Sequence, residues 1–385
     1  MTPIRRLLRP LPLVLLLAGC QHDRLQETEA VSFETRAEVD LAPAWRVNAG
    51  ASLAQAETQS TRTRLRPEIG VRPFGQVEGD RTFREAALFG EMVVRPTASL
   101  SLVLGGRMAR VRIVNRITAD GSGPSAVGSS DNADVFVTPS VGLSWTPPWG
   151  GQLFSRYEEG VRPGDVGEVQ GLGRPYGPDR VSLLEAGAAS PPNRTWRLEG
   201  SAGLVDWRDI QSDTITVGGD LVTDNIGDGR IVFVGLNAAW NPSDDLRLSG
   251  GLFLNRSELR LGGPSLIGVP EGDLPSVAPV SGRVGVEYGP IPLGAQRLSL
   301  SAHMRYIGRS TPGLGPGLDE PQGGYMDTSL SARLEADRHA VVFSISNPFD
   351  VSATRFAIGA PYRLYEGGVV PLRPMTVRFG IEARF

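Results

Sequence analysis

Few residues in this chain could support nucleophilic catalysis. His303 follows Ser299 and Ser301 at alternate positions, so that in a strand the three side chains would share one face. A serine hydroxyl beside an imidazole is the core of a hydrolase site. His22 and His339, the other two histidines, have no comparable neighbours. The simpler interpretation of His303 is a polar residue on the wet face of a strand, and we expect the chain not to be an enzyme.

The sequence also offers little support for a metal site or a cofactor site. The 385 residues include one Cys and three His, too few for a Cys/His metal centre. All 39 basic residues are Arg, so the lysine of a Walker A loop or of a pyridoxal phosphate enzyme is missing. The pairs Glu158-Glu159 and Asp319-Glu320 offer carboxylate ligands for Ca²⁺, but solvated loops commonly contain such pairs. We therefore predict no cofactor and no bound metal.

Charge and hydropathy argue against two further classes of protein. A formal net charge of −3 gives no reason to expect a nucleic-acid partner. No apolar run reaches the roughly 18–20 residues of a membrane helix. A membrane β-barrel is compatible with this composition, because each of its strands is only half apolar.

The beginning of the sequence has the features of an export signal. A basic start precedes a short apolar stretch, formed by Arg5, Arg6, Arg9 and residues 11–17. The letters LAGC that end at Cys20 place small residues before a lone cysteine, as in the lipobox of bacterial lipoproteins. We predict a signal peptide over 1–19, a lipid on Cys20 and a short linker over 20–30. An ordinary secretory signal with an incidental cysteine is the alternative.

Beyond residue 30, apolar and polar residues alternate again and again. In ADVFVTPSVGLSWT, residues 133–146, one face of a strand would carry five apolar side chains: Val135, Val137, Val141, Leu143 and Trp145. This period of two indicates strands with one apolar face. The pattern predicts about fifteen strands, over 31–41, 45–57, 84–95, 98–115, 133–146, 151–161, 180–189, 194–208, 229–241, 245–258, 276–288, 295–308, 324–336, 339–347 and 374–385.

The connections between these strands distinguish two architectures. Short ones rich in Pro, Gly, Asp and Asn alternate with long ones rich in Gly and Ser, such as 58–83 and 116–132. A soluble β-sandwich or propeller has shorter strands and no such alternation. We therefore predict an all-β fold, an antiparallel transmembrane outer-membrane β-barrel of about 14–16 strands over 31–385.

In such a barrel the polar side of each strand faces the lumen. The expected lumen-facing charges are Arg110, Arg112, Arg156, Glu158, Arg283, Arg305, Arg378 and Glu382. Pairing with lumenal carboxylates is the simpler interpretation of the arginines, and binding of anionic ligands or control of ion selectivity is the alternative. The alternation changes phase at Gly105-Gly106, which predicts a β-bulge there.

The sequence closes on a strand pattern that ends in an aromatic residue. Val377, Phe379, Ile381 and Phe385 lie on one face of the predicted last strand. This arrangement resembles the C-terminal signal read by the barrel-assembly machinery of the outer membrane. We expect that machinery and outer-membrane lipid to be partners of the chain.

Several segments together resemble the barrel of TonB-dependent receptors. The resemblance is carried in order by 139–147, 153–164, 184–187, 205–211, 347–350 and 377–385. It implies an outer-membrane receptor of a Gram-negative bacterium. Such receptors take up a scarce nutrient, for example a siderophore chelate, a vitamin or a glycan, with energy from the TonB complex. The small-molecule ligand itself is not readable from the loops.

The chain also departs from that family. The family's barrel has 22 strands and an N-terminal plug, whereas the pattern here gives about fifteen strands and only about eleven residues between Cys20 and the first strand. We therefore expect a truncated barrel that is not transport-competent alone and that meets the TonB complex only if a plug is supplied separately. A re-closed barrel of 14 or 16 strands, a passive porin-like channel and a lipid-anchored structural or surface-interaction barrel are the alternatives.

Overall fold

The computed structural model describes residues 24–66, 72–121, 126–169, 172–193, 195–215, 221–262, 272–314, 321–358 and 368–383. The predicted signal peptide over 1–19, the lipidation site Cys20 and the terminal Phe385 lie outside these ranges. None of the residues described belongs to a helix that is long and apolar enough to cross a membrane.

Fifteen strands form one antiparallel sheet in which each strand pairs with the next along the chain. The prediction of about 14–16 antiparallel strands is confirmed. All strands are numbered in chain order, and the numbers absent from this sheet belong to the small hairpins described next. The strands of the large sheet are β1 Arg24–Ala42, β2 Trp45–Arg66, β3 Arg72–Thr97, β4 Leu100–Gly121, β5 Ala126–Trp145, β6 Gln152–Arg162, β9 Asp179–Ala189, β10 Trp196–Arg208, β13 Gly227–Ser243, β14 Leu246–Leu261, β15 Val280–Leu293, β16 Gln296–Ile307, β17 Tyr325–Glu335, β18 His339–Ser346 and β21 Thr376–Ala383.

Three small hairpins lie in the connections between these strands. All of them fall within segments that the sequence predicted as long loops, so they were missed. They are β7 Asp165–Val169 with β8 Leu172–Tyr176, β11 Gln211–Ile215 with β12 Leu221–Asn225, and β19 Thr354–Ile358 with β20 Gly368–Pro371. The strands of the sheet have two ends. We call the end that carries these hairpins the loop end, and the other end, where the connections are short, the turn end.

The first strands reach further towards the loop end than predicted. Arg24 pairs with Arg62 and Ala30 with Ala56, so residues assigned to the linker over 20–30 belong to β1. The predicted loops over 58–83 and 116–132 likewise contain ends of β2 to β5. In 24–30 and 58–61 polar residues occupy odd and even positions alike, and backbone pairing holds the strands. The period of two therefore gave no signal.

The two faces of the sheet differ in chemistry. Direct cross-strand partners share a face, and Leu102 pairs with Leu143, which extends the predicted apolar face of β5 onto β4. We call this side the apolar face. Most of its large side chains are exposed, including Val31, Val135 and Phe379. Exposed aliphatic and aromatic residues on strand after strand indicate a surface that meets hydrocarbon rather than water.

Tryptophans mark the turn end of the sheet. Five of the six tryptophans lie at or near the short connections, and all five are exposed: Trp45, Trp145, Trp149, Trp196 and Trp240. Trp196 and Trp240 are direct cross-strand partners. Tryptophan favours the membrane–water boundary because its ring is apolar and its N–H is polar. The turn end therefore lies at one membrane interface.

The predicted bulge at Gly105-Gly106 does not form. Gly105 pairs with Glu91 and Ser140 without an irregularity in register on either side. The alternation consequently keeps its phase through β4. Arg110 and Arg112 lie on the apolar face, in line with Met108, and the prediction that they face the lumen is wrong.

The cause of this error is an apolar cluster on the polar face. Val111, Ile113 and Phe136 are buried there, with Phe83 and Val161 packed against them. Along this part of β4 the apolar side chains therefore lie inside and the arginines outside. An assignment by polarity alone therefore places both the arginines and these apolar side chains on the wrong face.

Aromatic rings on the polar face lie over glycines of the neighbouring strand. In each case the two residues are direct cross-strand partners, and a Cβ on the glycine would come within 2.6 Å of a ring carbon. The ring covers the space that the glycine leaves empty, a device that protects glycine within sheets. The three pairs are Phe89 over Gly50, Phe154 over Gly187 and Phe233 over Gly203.

Candidate functional site

The loop end is held together by a clasp between β6, β9 and the two hairpins β7–β8 and β11–β12. Its centre is Asp179, the first residue of β9, whose side chain is only 4% exposed. Arg162 Nη2 lies 2.5 Å from Asp179 Oδ2, and Trp207 donates its indole N–H to the same oxygen over 3.1 Å. The backbone N–H of Gln211 donates to it over 3.3 Å. One buried carboxylate thus joins three segments of the chain.

Gln211 completes the clasp with its side chain. Its amide N–H₂ donates to the carbonyl oxygens of Pro163 and Gly177 over 2.9 and 2.8 Å. The backbone carbonyl of Gln211 accepts from Arg162 Nη2 over 2.8 Å. Buried amide groups with several partners fix the position of a loop more firmly than one bond does. The first residue of β11 therefore holds both ends of the β7–β8 hairpin.

A second carboxylate anchors the hairpin to the wall of the sheet. Asp165 accepts a hydrogen bond from Arg81 of β3 over 2.7 Å and another from Asn115 of β4. Asn225, at the end of β12, accepts from the backbone N–H of Gly177 over 2.6 Å. The β7–β8 hairpin is therefore bound on one side to the sheet and on the other to β11–β12.

An apolar cluster supports the clasp from the neighbouring strands. Ile210, Ile226, Leu259 and Leu274 are buried together, and Trp207 packs against them. Burial of such side chains stabilises by roughly 1.5–3 kcal/mol each. The loop end is therefore a packed structure and not a set of free loops.

Tyr176, in the β8 strand of the clasp, is expected to ionise late. Burial, reinforced by the nearby Asp165 carboxylate, raises the pKa of Tyr176 to about 12. Because its phenolate is favoured in the unfolded chain, stability is lost as the pH rises from the ordinary tyrosine pKa of about 10 towards that value. In a titration followed at 295 nm, Tyr176 should contribute to the latest phase of ionisation. Tyr176→Phe should reduce the amplitude of that late phase by about one tyrosine, and an unchanged amplitude in this variant would contradict the assignment.

Six of the eight predicted lumen-facing charges lie on the polar face. Arg156 lies 2.7 Å from the buried carboxylate of Glu185 and 3.2 Å from Glu158. Glu382 of β21 lies 2.9 Å from Arg333. These contacts agree with the simpler interpretation, in which the charges neutralise one another.

Arg283 and Arg305 depart from that interpretation. Arg283 donates to the neutral amide of Asn237 over 2.9 Å, and Arg305 approaches Asp327 only to 3.5 Å. Arg378 shares the polar face with Ser344, its partner on β18. The polar face thus carries positive charge that is incompletely neutralised.

Among the described residues, neither the Ser/His arrangement nor a metal site around Glu158-Glu159 is assembled, and the pair Asp319-Glu320 lies outside the described ranges. His303 shares the polar face with Ser299 and Ser301, and its direct partner on β17 is Ser329. Within the described ranges no hydrogen bond joins His303 to a serine. The same ranges contain no group of three or more His, Cys, Asp or Glu side chains that could hold a metal ion.

The segment 347–350 folds into a fixed turn after β18. Asn347 is 2% exposed and has a φ of 49°, a left-handed conformation that asparagine tolerates well. Its amide donates to the carbonyl oxygens of Val351 and Arg373, over 3.0 and 2.9 Å. Asp350 accepts from the backbone N–H of Met375 over 2.8 Å. These bonds position the start of β21.

No curated protein matches the chain. Among solved structures, the ferric yersiniabactin uptake receptor FyuA from Yersinia pestis is similar with a TM-score of 0.80 at 16% identity, over 94% of this chain and 55% of that one. The siderophore receptor PiuA from Acinetobacter baumannii gives 0.71 at 14%, over 94% and 56%. The copper transporter OprC gives 0.73 at 15%, over 94% and 57%.

These similarities at low identity concern the fold. The chain spans little more than half the length of each of the three receptors. The model of the family described as TonB dependent receptor-like, beta-barrel matches residues 21–347. Its members are Gram-negative outer-membrane proteins, so the apolar face meets lipid and the polar face lines the interior. The chain belongs to the TonB dependent receptor-like, beta-barrel family.

Proposed function

We propose that this chain is the barrel part of an outer-membrane receptor for a scarce nutrient, such as a siderophore chelate, a vitamin or a glycan. The observation that carries the proposal is the clasped loop end above a charged interior. Fixed hairpins at the mouth of a barrel can present a rigid contact surface, and rigid surfaces lose less entropy on binding. The similar solved structures are a ferric yersiniabactin uptake receptor, a siderophore receptor and a copper transporter.

We further propose that energy coupling requires a second component. The described residues form strands and their connections, and the TonB complex would act on a plug that fills the barrel. Val377, Phe379 and Ile381 are exposed on the apolar face of β21. They support recognition of this strand, together with Phe385, by the barrel-assembly machinery.

Surface retention of ligand tests this function. Cells that produce the chain should retain a labelled ferric chelate, vitamin or glycan at their surface, without importing it. Asp179→Ala should reduce this retention because it releases the hairpins, whereas Asp131→Ala, which removes an exposed ion pair with Arg112, should not. Retention of all three ligand classes at the level of cells without the chain would contradict the proposal.

The alternative functions have less support. A passive porin-like channel or a lipid-anchored surface barrel would each fit the sheet alone. The family match over 21–347 favours neither. Import by the chain without any plug would contradict the two-component proposal while leaving the receptor function intact.

A further inference from the structure

The interior wall contains a cavity apart from the loop-end clasp. It has a volume of about 400 Å³ and lies between β14 and β18 on the polar face. Pockets of this size hold small ligands. The side chains that matter in its lining are Ser249, Arg283, His303, Arg305, Asp327 and Ser329.

Two glycines open the space for this cavity. A Cβ on Gly285 would lie 2.6 Å from Ser249 Oγ and 3.0 Å from His303 Nδ1. A Cβ on Gly251 would lie 3.0 Å from Arg283 Nε. Because both glycines lie on the polar face, the serine, the imidazole and the guanidinium can lie close to the wall. Glycines and polar side chains from several strands therefore form the cavity together.

The charges in the cavity do not balance. Arg283 and Arg305 are direct cross-strand partners, an arrangement in which like charges repel. Among the described residues, the one carboxylate in the lining is that of Asp327, 3.5 Å from Arg305, and Arg283 donates to the neutral amide of Asn237. An anion between the two guanidinium groups would remove this repulsion.

The remaining polar groups of the cavity are available to such an anion. Within the described ranges, no hydrogen bond or ion pair engages the side chains of Ser249, His303 or Ser329. Hydroxyl and imidazole groups donate hydrogen bonds to oxyanions, and guanidinium groups bind them through two parallel N–H bonds. The cavity therefore combines positive charge with free donors.

We propose that this cavity binds a small molecule through a phosphate group. A carboxylate has two oxygens, too few to engage two guanidinium forks together with the hydroxyl and imidazole donors. A phosphate has oxygens pointing in three or four directions and carries up to two charges at neutral pH, which matches two arginines. The inference rests on the geometry of the interior wall and does not depend on the proposed nutrient uptake.

Calorimetric titration of the full chain in detergent, at low ionic strength, tests the site with inorganic phosphate as the probe. We expect binding by the unaltered chain and at least about tenfold weaker binding by the double variant Arg283→Gln, Arg305→Gln, because two charge-assisted contacts are lost. Arg297→Gln is the matched control, since Arg297 lies on the same strand and face as Arg305 but outside the cavity. It should bind phosphate like the unaltered chain.

Asp327→Asn gives a result that misfolding could not produce. Removal of this carboxylate from the lining should tighten phosphate binding by about threefold or more. Three outcomes would overturn the proposal: no binding of phosphate, equal weakening by Arg297→Gln and the double variant, or binding of acetate as tightly as phosphate.

Discussion

Replacing Asp179 by alanine should open the loop end at a cost of about 3 kcal/mol, because its buried carboxylate accepts three hydrogen bonds that would be lost together. Arg162, Trp207 and the backbone of Gln211 would all lose this shared acceptor. The backbone N–H of Gln211 would then be buried without a partner, whereas Arg162, whose side chain is 54% exposed, would keep the backbone carbonyl of Gln211. The effect should be largest on the two hairpins, because the carboxylate joins them to β6 and β9.

Chymotryptic cleavage after Tyr176, the last residue of the β7–β8 hairpin, measures this opening. Where cleavage follows the population of the open form, a change of about 3 kcal/mol corresponds to roughly 100-fold faster cleavage. Asp131→Ala is the control, because both side chains of the Asp131–Arg112 pair are 51% exposed and such pairs contribute about 1 kcal/mol or less. Similar cleavage rates for the two variants would contradict the role given to Asp179.

Replacing Gly203 by alanine should lower the free energy of unfolding of the whole sheet by about 1–3 kcal/mol, the usual cost of overpacking. The added Cβ would lie 2.6 Å from the ring of Phe233 and 2.7 Å from the carbonyl oxygen of Leu184. The ring can rotate away, but the carbonyl belongs to the backbone of β9. Relief would therefore have to disturb the pairing of β9 with β10.

Gly235→Ala provides the matched control on the adjacent strand. A Cβ there would lie 3.6 Å from Phe253 and from Ser201, which is ordinary contact. Unfolding by urea in detergent, followed by tryptophan fluorescence, should show Gly235→Ala unchanged or slightly more stable, since alanine restricts the unfolded chain. If Gly203→Ala unfolded at the same urea concentration as Gly235→Ala, the close approach would have no energetic consequence.

The fold could be predicted where one face of a strand meets lipid. Val137, Val141 and Leu143 alternate with small residues because lipid requires apolar side chains on every second position. All fifteen strands of the large sheet were found in this way. Beyond the bilayer this requirement ends, and the alternation faded in the ends of β1 to β5.

The site was less accessible to prediction. Asp179 and Gln211 lie in segments with no period, and neither residue type is distinctive in a polar loop. Their importance comes from contacts with residues tens of positions away, as in the bond from Gln211 to Pro163. Arg110 and Arg112 were misplaced for a different reason. The interior of this barrel is apolar beside them, so polarity does not distinguish inside from outside.

The concentration of tryptophans at the turn end makes the protein a one-sided optical reporter. Trp207 is at the loop end, and the other five tryptophans lie near a single membrane boundary. Most of the intrinsic emission therefore originates from one leaflet. A quencher confined to the headgroup region of that leaflet would reduce most of the tryptophan fluorescence. The same quencher in the opposite leaflet would leave most of the fluorescence unchanged. The orientation of the chain in a vesicle can accordingly be determined without any label.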